Sequence, residues 1–180
     1  MKLEGEKIYL RFFELSDSQA LLDLNLKNKD FFENYVVTRL EDFYTLKSRE
    51  DGIREGIKNR NEDRAYSFGI FEKDKEGLIG SISLNEVLRG AFQSCYIGYY
   101  LDENHNGKGY MTEAITLVVS FAFKRLNLHR IEAGVMPRNI KSMRALEKVG
   151  FHKEGLAIKV AKIKGIWEDH QILAIISNDN

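Results

Sequence analysis

Hydrophobic and polar positions alternate in short runs along this chain, and apolar residues at helical spacing separate those runs. Alternation with a period of two is typical of strands, because successive side chains face opposite sides of a sheet. It predicts strands over residues 8–13, 65–72, 78–85, 92–101, 129–136, 151–160 and 166–176. Apolar residues spaced three and four apart predict helices over residues 16–27, 48–61, 110–126 and 140–149. The order of these elements predicts an α/β fold, a mixed sheet with helices on its faces.

Turn and cap residues mark the ends of several elements. Ser16 followed by Gln19 has the spacing of a capping box that would open the first helix. Pro137, the only proline, lacks the N–H that a strand ladder needs and should end the strand before it. Asn139 is a favourable N-cap and Gly150 a favourable C-cap, so we expect them to bound the last helix.

The segment 110–126 is apolar on most faces, which predicts a helix buried against the sheet. Such a helix is the crossover that two parallel strands need. We therefore expect strands 92–101 and 129–136 to be parallel neighbours. Parallel strands that diverge leave a crevice suited to an extended ligand.

Length and composition limit the class of protein. The 180 residues suffice for one domain, and we expect residues 1–176 to form it, with 177–180 as a frayed tail. Hydrophobic residues make up 43% and charged residues 30%, which is typical of soluble globular proteins. The 27 basic residues equal the 27 acidic ones, which argues against nucleic-acid binding through bulk charge. No secretory signal and no bilayer-spanning apolar run is evident, so we expect a cytoplasmic protein without a membrane contact.

One cysteine and four histidines are candidates for nucleophilic or metal chemistry. Cys95 cannot form an intramolecular disulfide, and its strand-like surroundings favour a buried thiol over a nucleophile. His105 and His152 are expected to face solvent, and His129 and His170 to pair with neighbouring charges. None of the histidines shares a metal-ligand spacing with another ligand, so we predict no metal.

Residues 104–112, Asn-His-Asn-Gly-Lys-Gly-Tyr-Met-Thr, join a predicted strand to the predicted helix 110–126. A glycine turn at a helix start presents several backbone N–H groups at one point, and the helix dipole adds positive charge there. The turn is not a Walker loop, because Asp102 stands where that loop needs glycine and Gly109 where it needs Ser or Thr. It is not the dinucleotide fingerprint either, because Thr112 replaces the third glycine. We expect a different kind of phosphate cradle.

Five short segments follow one another along nearly the whole chain. They are Asn104-x-x-Gly107-Lys-Gly109-Tyr-Met-Thr-Glu-Ala114, Leu128-His-Arg-Ile-Glu-Ala133, Pro137-x-Asn139-x-x-Ser142, Glu147-Lys-Val-Gly-Phe151 and Trp167-Glu-Asp-His170. In this order they resemble the GNAT N-acetyltransferases, and within that superfamily the ribosomal-protein-alanine N-acetyltransferase branch. The resemblance implies a central, mostly antiparallel sheet with one splayed parallel pair, joined by a crossover helix.

The resemblance also implies acetyl-CoA as cosubstrate. Its diphosphate would contact the glycine loop, and its pantetheine arm would pair with strand 92–101 like an added strand. A backbone N–H there would polarise the thioester carbonyl. The implied contacts are Tyr99, Tyr100, Leu101, Asn106, Gly107, Lys108, Gly109, Tyr110, Met111, Thr112, Asn139 and Ser142. Asn104 is shorter than the Gln or Arg usual at that place in the family, so we expect the backbone of residues 106–111 to carry the phosphate contact. Strand packing is the alternative role for the tyrosines, and helix capping for Asn139.

Two residues are candidates for proton transfer. Glu132 is the candidate base, and an ion pair with Arg130 or His129 is its alternative role. An α-amine of pKa about 8 costs only about 1.4 kcal/mol to deprotonate at pH 7, against about 4.6 kcal/mol for lysine, so a weak base suffices. In the branch that the chain resembles, Ser142 serves the departing thiolate, since Leu146 stands where many relatives have tyrosine. Bonding to the backbone alone is the alternative role for Ser142.

Three hypotheses remain for the acceptor. The first is the α-amine of a protein N-terminus, such as that of a ribosomal protein. The second is a small amine such as a polyamine or an aminoglycoside, which predicts an acidic mouth made by Glu86, Glu132, Glu168 and Asp169. The third is a CoA-binding module without turnover. Acceptor contacts are predicted at Phe32, Arg39, Trp167 and Asp169, with rim packing as the alternative for Trp167. We expect a monomer or a homodimer.

Overall fold

Eight strands form one sheet in residues 1–75 and 77–178, the part of the chain that this computed structural model describes. The strands are β1 (Lys2–Glu4), β2 (Ile8–Phe12), β3 (Tyr66–Glu72), β4 (Leu78–Leu88), β5 (Ser94–Leu101), β6 (Arg130–Val135), β7 (His152–Ile163) and β8 (Ile166–Ile176). The helices are α1 (Ser18–Lys27), α2 (Lys29–Phe32), α3 (Leu46–Asn61), α4 (Tyr110–Lys124) and α5 (Ile140–Val149). Short 3-10 turns occur at Leu15–Asp17, Glu41–Tyr44 and Glu103–His105. Of the predicted tail, residues 179 and 180 lie outside the described residues.

The strand order is β1-β2-β3-β4-β5-β6-β8-β7, and every neighbouring pair is antiparallel except β5 and β6. Helix α4 makes the crossover between these two strands, as the sequence predicted. The fold is thus the mixed α/β sheet expected from the element order and from the family resemblance.

Helices cover the two faces of the sheet. Phe68 and Ile82 are fully buried in the core under α4, where the Phe68 ring packs edge-on against Phe121. Their strand neighbours Ser67 and Ser81 point to the opposite face, where α3 lies across the sheet. The alternation in the sequence therefore separates an apolar face under α4 and α5 from a more polar face under α1 and α3.

The parallel pair is short, and this positions the functional site. Pairing between β5 and β6 is limited to three residue pairs, Ser94 with Arg130, Cys95 with Ile131 and Tyr96 with Glu132. Beyond Tyr96, β5 follows β4 as far as Leu101, while β6 follows β8 as far as Val135. The two strands diverge in the middle of the sheet and leave a gap between them.

The predicted elements are confirmed with small shifts at their ends, but the capping box at Ser16 and Gln19 is wrong. The reciprocal bond forms earlier, where the backbone N–H of Glu14 donates to the Asp17 carboxylate at 2.8 Å. Arg11 holds the same carboxylate with two bonds of 2.7 Å. That strand-to-helix contact fixes where the chain turns and was not evident in the local pattern.

Strand β1 was not predicted. Its three residues carry no clear period, and they are extended because they pair with β2, from Lys2 opposite Arg11 to Glu4 opposite Tyr9.

At the other end of the chain, the backbone N–H of Ser177 donates to the His129 carbonyl at 2.8 Å.

Candidate functional site

The loop between β5 and α4 carries backbone N–H groups that no acceptor in the described residues occupies. The amides at the start of the loop are bonded to the turn before it, at 2.9–3.3 Å, and belong to Asn104, His105 and Asn106. The bond that begins the helical ladder of α4 runs from the Glu113 N–H to the Gly109 carbonyl, at 3.0 Å. Between these points, the amides of residues 107–112 have no partner in residues 1–75 and 77–178. The free run starts after Asn106, and free amides at a helix N-terminus form an anion site.

Two glycines determine the path of this loop. Gly107 has φ +79° and Gly109 has φ +87°, in the left-handed region that other residues disfavour. A Cβ added at either residue would meet no atom within 4 Å, so both glycines border open space. The backbone is therefore accessible to a ligand at the point where its amides are free.

Ion pairs between side chains fix the start of the loop in place. Asp102 is 3% exposed and accepts from Lys27 Nζ at 2.6 Å. Burial alone raises the pKa of Asp102, but bonds from Lys27, the loop backbone and His105 outweigh it and hold the pKa below its usual value. His105 lies between two carboxylates. Its Nδ1 is 3.0 Å from Asp102 Oδ2 and its Nε2 is 3.8 Å from Glu72 Oε2, so the prediction that it faces solvent is wrong.

The gap between β5 and β6 opens into a cavity of about 340 Å³. Its lining comes from both faces of the sheet, because consecutive strand residues, such as Tyr99 and Tyr100 or Ala133 and Gly134, both contribute. The predicted site residues on the lining are Phe32, Tyr99, Tyr100, Leu101, Asn106, Met111, Asn139 and Ser142. The other predicted contacts lie outside the lining, in the adjoining loop and the first turn of α4, and are Gly107, Lys108, Gly109, Tyr110 and Thr112. A passage through a sheet suits a linear chain that enters on one face and presents its end on the other.

Two hydroxyl groups meet on the wall of this cavity. Tyr99 Oη and Ser142 Oγ are 2.8 Å apart, and either can be the donor. Burial raises the pKa of Tyr99 to about 12, although the bond to Ser142 acts against that shift. Both groups therefore stay protonated at neutral pH. When Tyr99 donates to Ser142, the serine hydrogen is free to donate into the cavity.

Asn139 places Ser142 at this wall. The Asn139 side chain caps α5 by accepting the Ser142 N–H at 3.3 Å, as the sequence predicted, and Gly150 closes the helix with φ +110°. The Ser142 hydroxyl contacts Tyr99 in addition to the backbone cap, so the residue does more than bond to the backbone.

Glu132 is held in an ion pair. Its Oε1 accepts from Arg130 Nε at 2.9 Å, and the same guanidinium pairs with Glu154. Glu132 is not among the residues that line the cavity. Gly134, on the same face of β6, does line it. A carboxylate in this position has one oxygen committed to Arg130.

His170 on β8 lines the cavity, whereas the sequence predicted only that it would pair with a neighbouring charge. A Cβ on Gly134 would approach the His170 ring at 3.7 Å, which places the imidazole beside the gap. The pairing of β6 with β8 brings His170 to the cavity. Gly134 pairs with Ile172, and His170 is two residues before Ile172 on the same face of the sheet. That pairing is not visible in the sequence alone.

The predicted acceptor residues separate in the structure. Phe32 is 3% exposed and lines the cavity, with its ring 4.8 Å from that of Tyr100. Arg39 donates to an asparagine of α1 at 2.8 Å, and Asp169 accepts from the backbone of β7 at 2.8 Å. Trp167 is 56% exposed on β8. Of these four residues, only Phe32 is on the cavity lining.

Cys95, the one cysteine, is not on the cavity lining. Cys95 is 1% exposed, and burial raises its pKa to about 12, so the thiol is not a poised nucleophile. In the described parts of the chain, no cluster of His, Cys, Asp or Glu has the arrangement of a metal site. Across those same residues, no helix has both the length and the apolarity to cross a membrane.

Comparisons with known proteins agree with this geometry. The model of the acetyltransferase (GNAT) domain matches residues 7–152. A Bacillus subtilis protein, the probable N-acetyltransferase YjcK, is 52% identical over 178 residues, which are 99% of this chain and 98% of that protein. Ribosomal-protein-S5-alanine acetyltransferase from Vibrio fischeri is 31% identical with a TM-score of 0.95, covering 99% of this chain and 98% of that one. Mycobacterium smegmatis RimJ, solved in complex with CoA-disulfide, is 26% identical with a TM-score of 0.90, covering 96% of this chain and 83% of that one.

Proposed function

The chain belongs to the GNAT acetyltransferase family, and from that premise we propose that its acceptor is the α-amine of a protein N-terminus, with a ribosomal protein as the protein class. It is an N-acetyltransferase that uses acetyl-CoA as cosubstrate. The likeness over almost the whole chain to an S5-alanine acetyltransferase supports a protein acceptor. Such acceptors are made in the cytoplasm, where we place this enzyme.

The observation that carries the choice of acceptor is the charge of the cavity. Among the described residues that line it, none is Asp or Glu, and Lys141 is the one lysine. Polyamines and aminoglycosides are polycations, so a site for them should be acidic. Of the acidic residues considered for that role, Glu132 and Glu168 are paired with Arg130 and Arg138. The cavity therefore suits a singly charged amine better than a polycation.

Two parts of the site would bind acetyl-CoA, the loop before α4 and the gap between β5 and β6. The free amides of residues 107–112 would hold the diphosphate, and the exposed edge of β5 beyond Tyr96 would pair with the pantetheine arm. Bound acetyl-CoA supplies an activated thioester. A backbone N–H of β5 would polarise the carbonyl, and the hydroxyl pair of Ser142 and Tyr99 would donate to the sulfur. Because Cys95 is buried and protonated, we propose direct attack by the amine in a ternary complex.

Proton removal has two candidates on one face of the sheet. His170 lines the cavity, and an imidazole nitrogen is suited to accepting a proton near neutral pH. Glu132 would act through water, because Arg130 occupies one of its oxygens. An α-amine requires only about 1.4 kcal/mol at pH 7 to become a free base, against about 4.6 kcal/mol for a lysine amine. A site without a strongly basic group therefore favours the α-amine.

The test is a panel of acceptors with purified protein and acetyl-CoA, followed by release of free thiol. The panel contains a peptide that begins with Ala, the same peptide with a blocked α-amine and an internal lysine, and spermidine. We expect turnover with the first peptide and little with the other two. Faster turnover with spermidine, or with the blocked peptide, would remove the proposal.

A further inference from the structure

A second cavity lies under α3, on the opposite side of Tyr100 from the gap. It has a volume of about 180 Å³, and Tyr100 belongs to the lining of both cavities. The residues that α3 contributes are Arg49, Gly52, Ile53, Gly56, Ile57 and Arg60, which share one helix face. The sheet contributes Ser67 and Ser81 to the floor. The mechanism derived above uses none of these side chains.

Two arginines on this lining lack a carboxylate partner. In the described parts of the chain, neither Arg49 nor Arg60 takes part in an ion pair, and no Asp or Glu lines the cavity. The Nε atom of Arg49 is buried without a hydrogen-bond acceptor, and so is the nearby Tyr44 hydroxyl. Burial lowers the pKa of Arg49, and the neighbouring Arg39 acts in the same direction. The Arg49 guanidinium lies over the Phe43 ring, 3.4 Å from its centroid, and donates to Ser48 Oγ at 3.2 Å, so no carboxylate balances its charge. An arginine that lines a cavity without a carboxylate partner is suited to bind an anion there.

Glycines on α3 keep this space open. Gly52 and Gly56 are one turn apart in the middle of the helix, where each costs about 1 kcal/mol relative to Ala. A Cβ on either would meet nothing within 4 Å, so packing within the fold does not require glycine there. Their effect is to leave a channel between the two arginines and the sheet.

We propose that the cavity under α3 receives a carboxylate of the acceptor substrate and so selects acceptors with an acidic group near the reactive amine. This inference rests on the proposed function. Tyr100 is on the lining of both cavities, and its ring packs against Phe32, which lines the gap. Each extended residue spans at most about 3.5 Å, so the carboxylates to be tested are an acidic side chain at the second or third position of a peptide and the terminal carboxylate of a very short one.

The test uses matched acceptors that differ only in the carboxylate. Peptides that begin with Ala carry Glu or Gln at the second or third position, and tripeptides carry a free or an amidated C-terminus. We expect kcat/KM about tenfold higher for the acceptor with a carboxylate, because a charge-assisted bond to the Arg49 guanidinium is then made. The peptide and tripeptide arms distinguish a side-chain carboxylate from a terminal one.

Variants of α3 identify the site. Arg49→Gln should raise the KM for the acidic peptide to that of its neutral match, with the KM for acetyl-CoA unchanged. Arg54→Gln removes an exposed arginine of the same helix that is outside the lining, and should keep the preference. Gly56→Leu fills the channel and should also abolish the preference, which keeps the test valid if Arg49→Gln folds poorly.

The outcomes separate this inference from the proposed function. Equal kcat/KM for acidic and neutral peptides, or the same loss for both in Arg49→Gln, overturns the carboxylate site and leaves N-terminal acetylation intact. Absence of turnover with every peptide removes the proposed function. In that case glutarate serves as the probe: it should raise the melting temperature of the wild type more than that of Arg49→Gln, and an equal rise overturns the site.

Discussion

The hydroxyl groups of Tyr99 and Ser142 are 2.8 Å apart, and they join β5 to α5 across the wall of the cavity. This contact connects the strand that borders the gap to the helix that Asn139 caps. Because the two oxygens share one hydrogen bond, one of the two hydrogens remains available to a group in the cavity. We interpret the pair as the donor to the departing sulfur.

Replacing Ser142 by Ala should lower kcat by about 10- to 100-fold with little change in the KM for acetyl-CoA, because the lost bond acts on the leaving group. Tyr99→Phe should have a smaller effect, since Ser142 can still donate. The double variant should be close to Ser142→Ala alone, because the two hydroxyls act as a unit. Steady-state kinetics measures all three, with Ser120→Ala on α4, outside the cavity lining, as the control. Full activity in Ser142→Ala would contradict this role.

Gly109→Ala should weaken CoA binding by about tenfold or more. The substitution puts a Cβ in open space beside the free amides and disfavours φ +87°, so it disturbs the anion site directly. Gly165→Ala is a matched control, because Gly165 has φ +81° and equally open surroundings in the turn between β7 and β8. Calorimetry with CoA should show the loss for the first variant only. Equal losses would mean that backbone strain, and not the loop, sets affinity.

His170→Gln and Glu132→Gln should identify the proton acceptor. If His170 serves directly, its loss lowers kcat, because the group that takes the proton from the amine is then missing. Glu132→Gln should then change the rate little. The reverse pattern would assign the role to Glu132, acting through water. His152→Gln, at an exposed histidine, is the control for both variants, and steady-state kinetics measures kcat for all three.

Cys95 should react slowly with thiol reagents in the native enzyme. Its side chain is buried, and the pKa of about 12 means that almost no thiolate is present at neutral pH. The free-thiol assay of CoA release should therefore have little background from the folded protein, and denaturation should expose one reactive thiol per chain. Rapid labelling of the native enzyme, or inactivation by alkylation at neutral pH, would contradict the buried position.

Local signals in the sequence predicted much of the fold and the glycine turn before α4. Gly107 and Gly109 before an apolar helix predicted the turn, Pro137 predicted the end of β6, and Asn139 with Gly150 predicted the bounds of α5. These signals act within a few residues of the structure that they determine, so they are legible without knowledge of tertiary contacts.

Features that depend on contacts between residues far apart in the sequence could not be predicted from it. His105 is enclosed by Glu72, a residue of β3, and His170 reaches the cavity only because β8 pairs with β6. The position of Arg49 on the second cavity becomes evident only once α3 lies over the polar face of the sheet. In each case, strands from separate parts of the chain decide the environment of the side chain, and sequence periodicity does not encode which strands become neighbours.

The most direct test of the account is amide hydrogen exchange in the loop, resolved by residue, with and without CoA. We predict that CoA slows exchange at residues 107–112, whose amides are free, and changes little at Asn104, His105 and Asn106, which are already bonded. Pantetheine, which lacks the diphosphate, should leave residues 107–112 unprotected. If CoA binds and these amides exchange as fast as before, the loop does not hold the diphosphate and the assignment of the donor site is wrong.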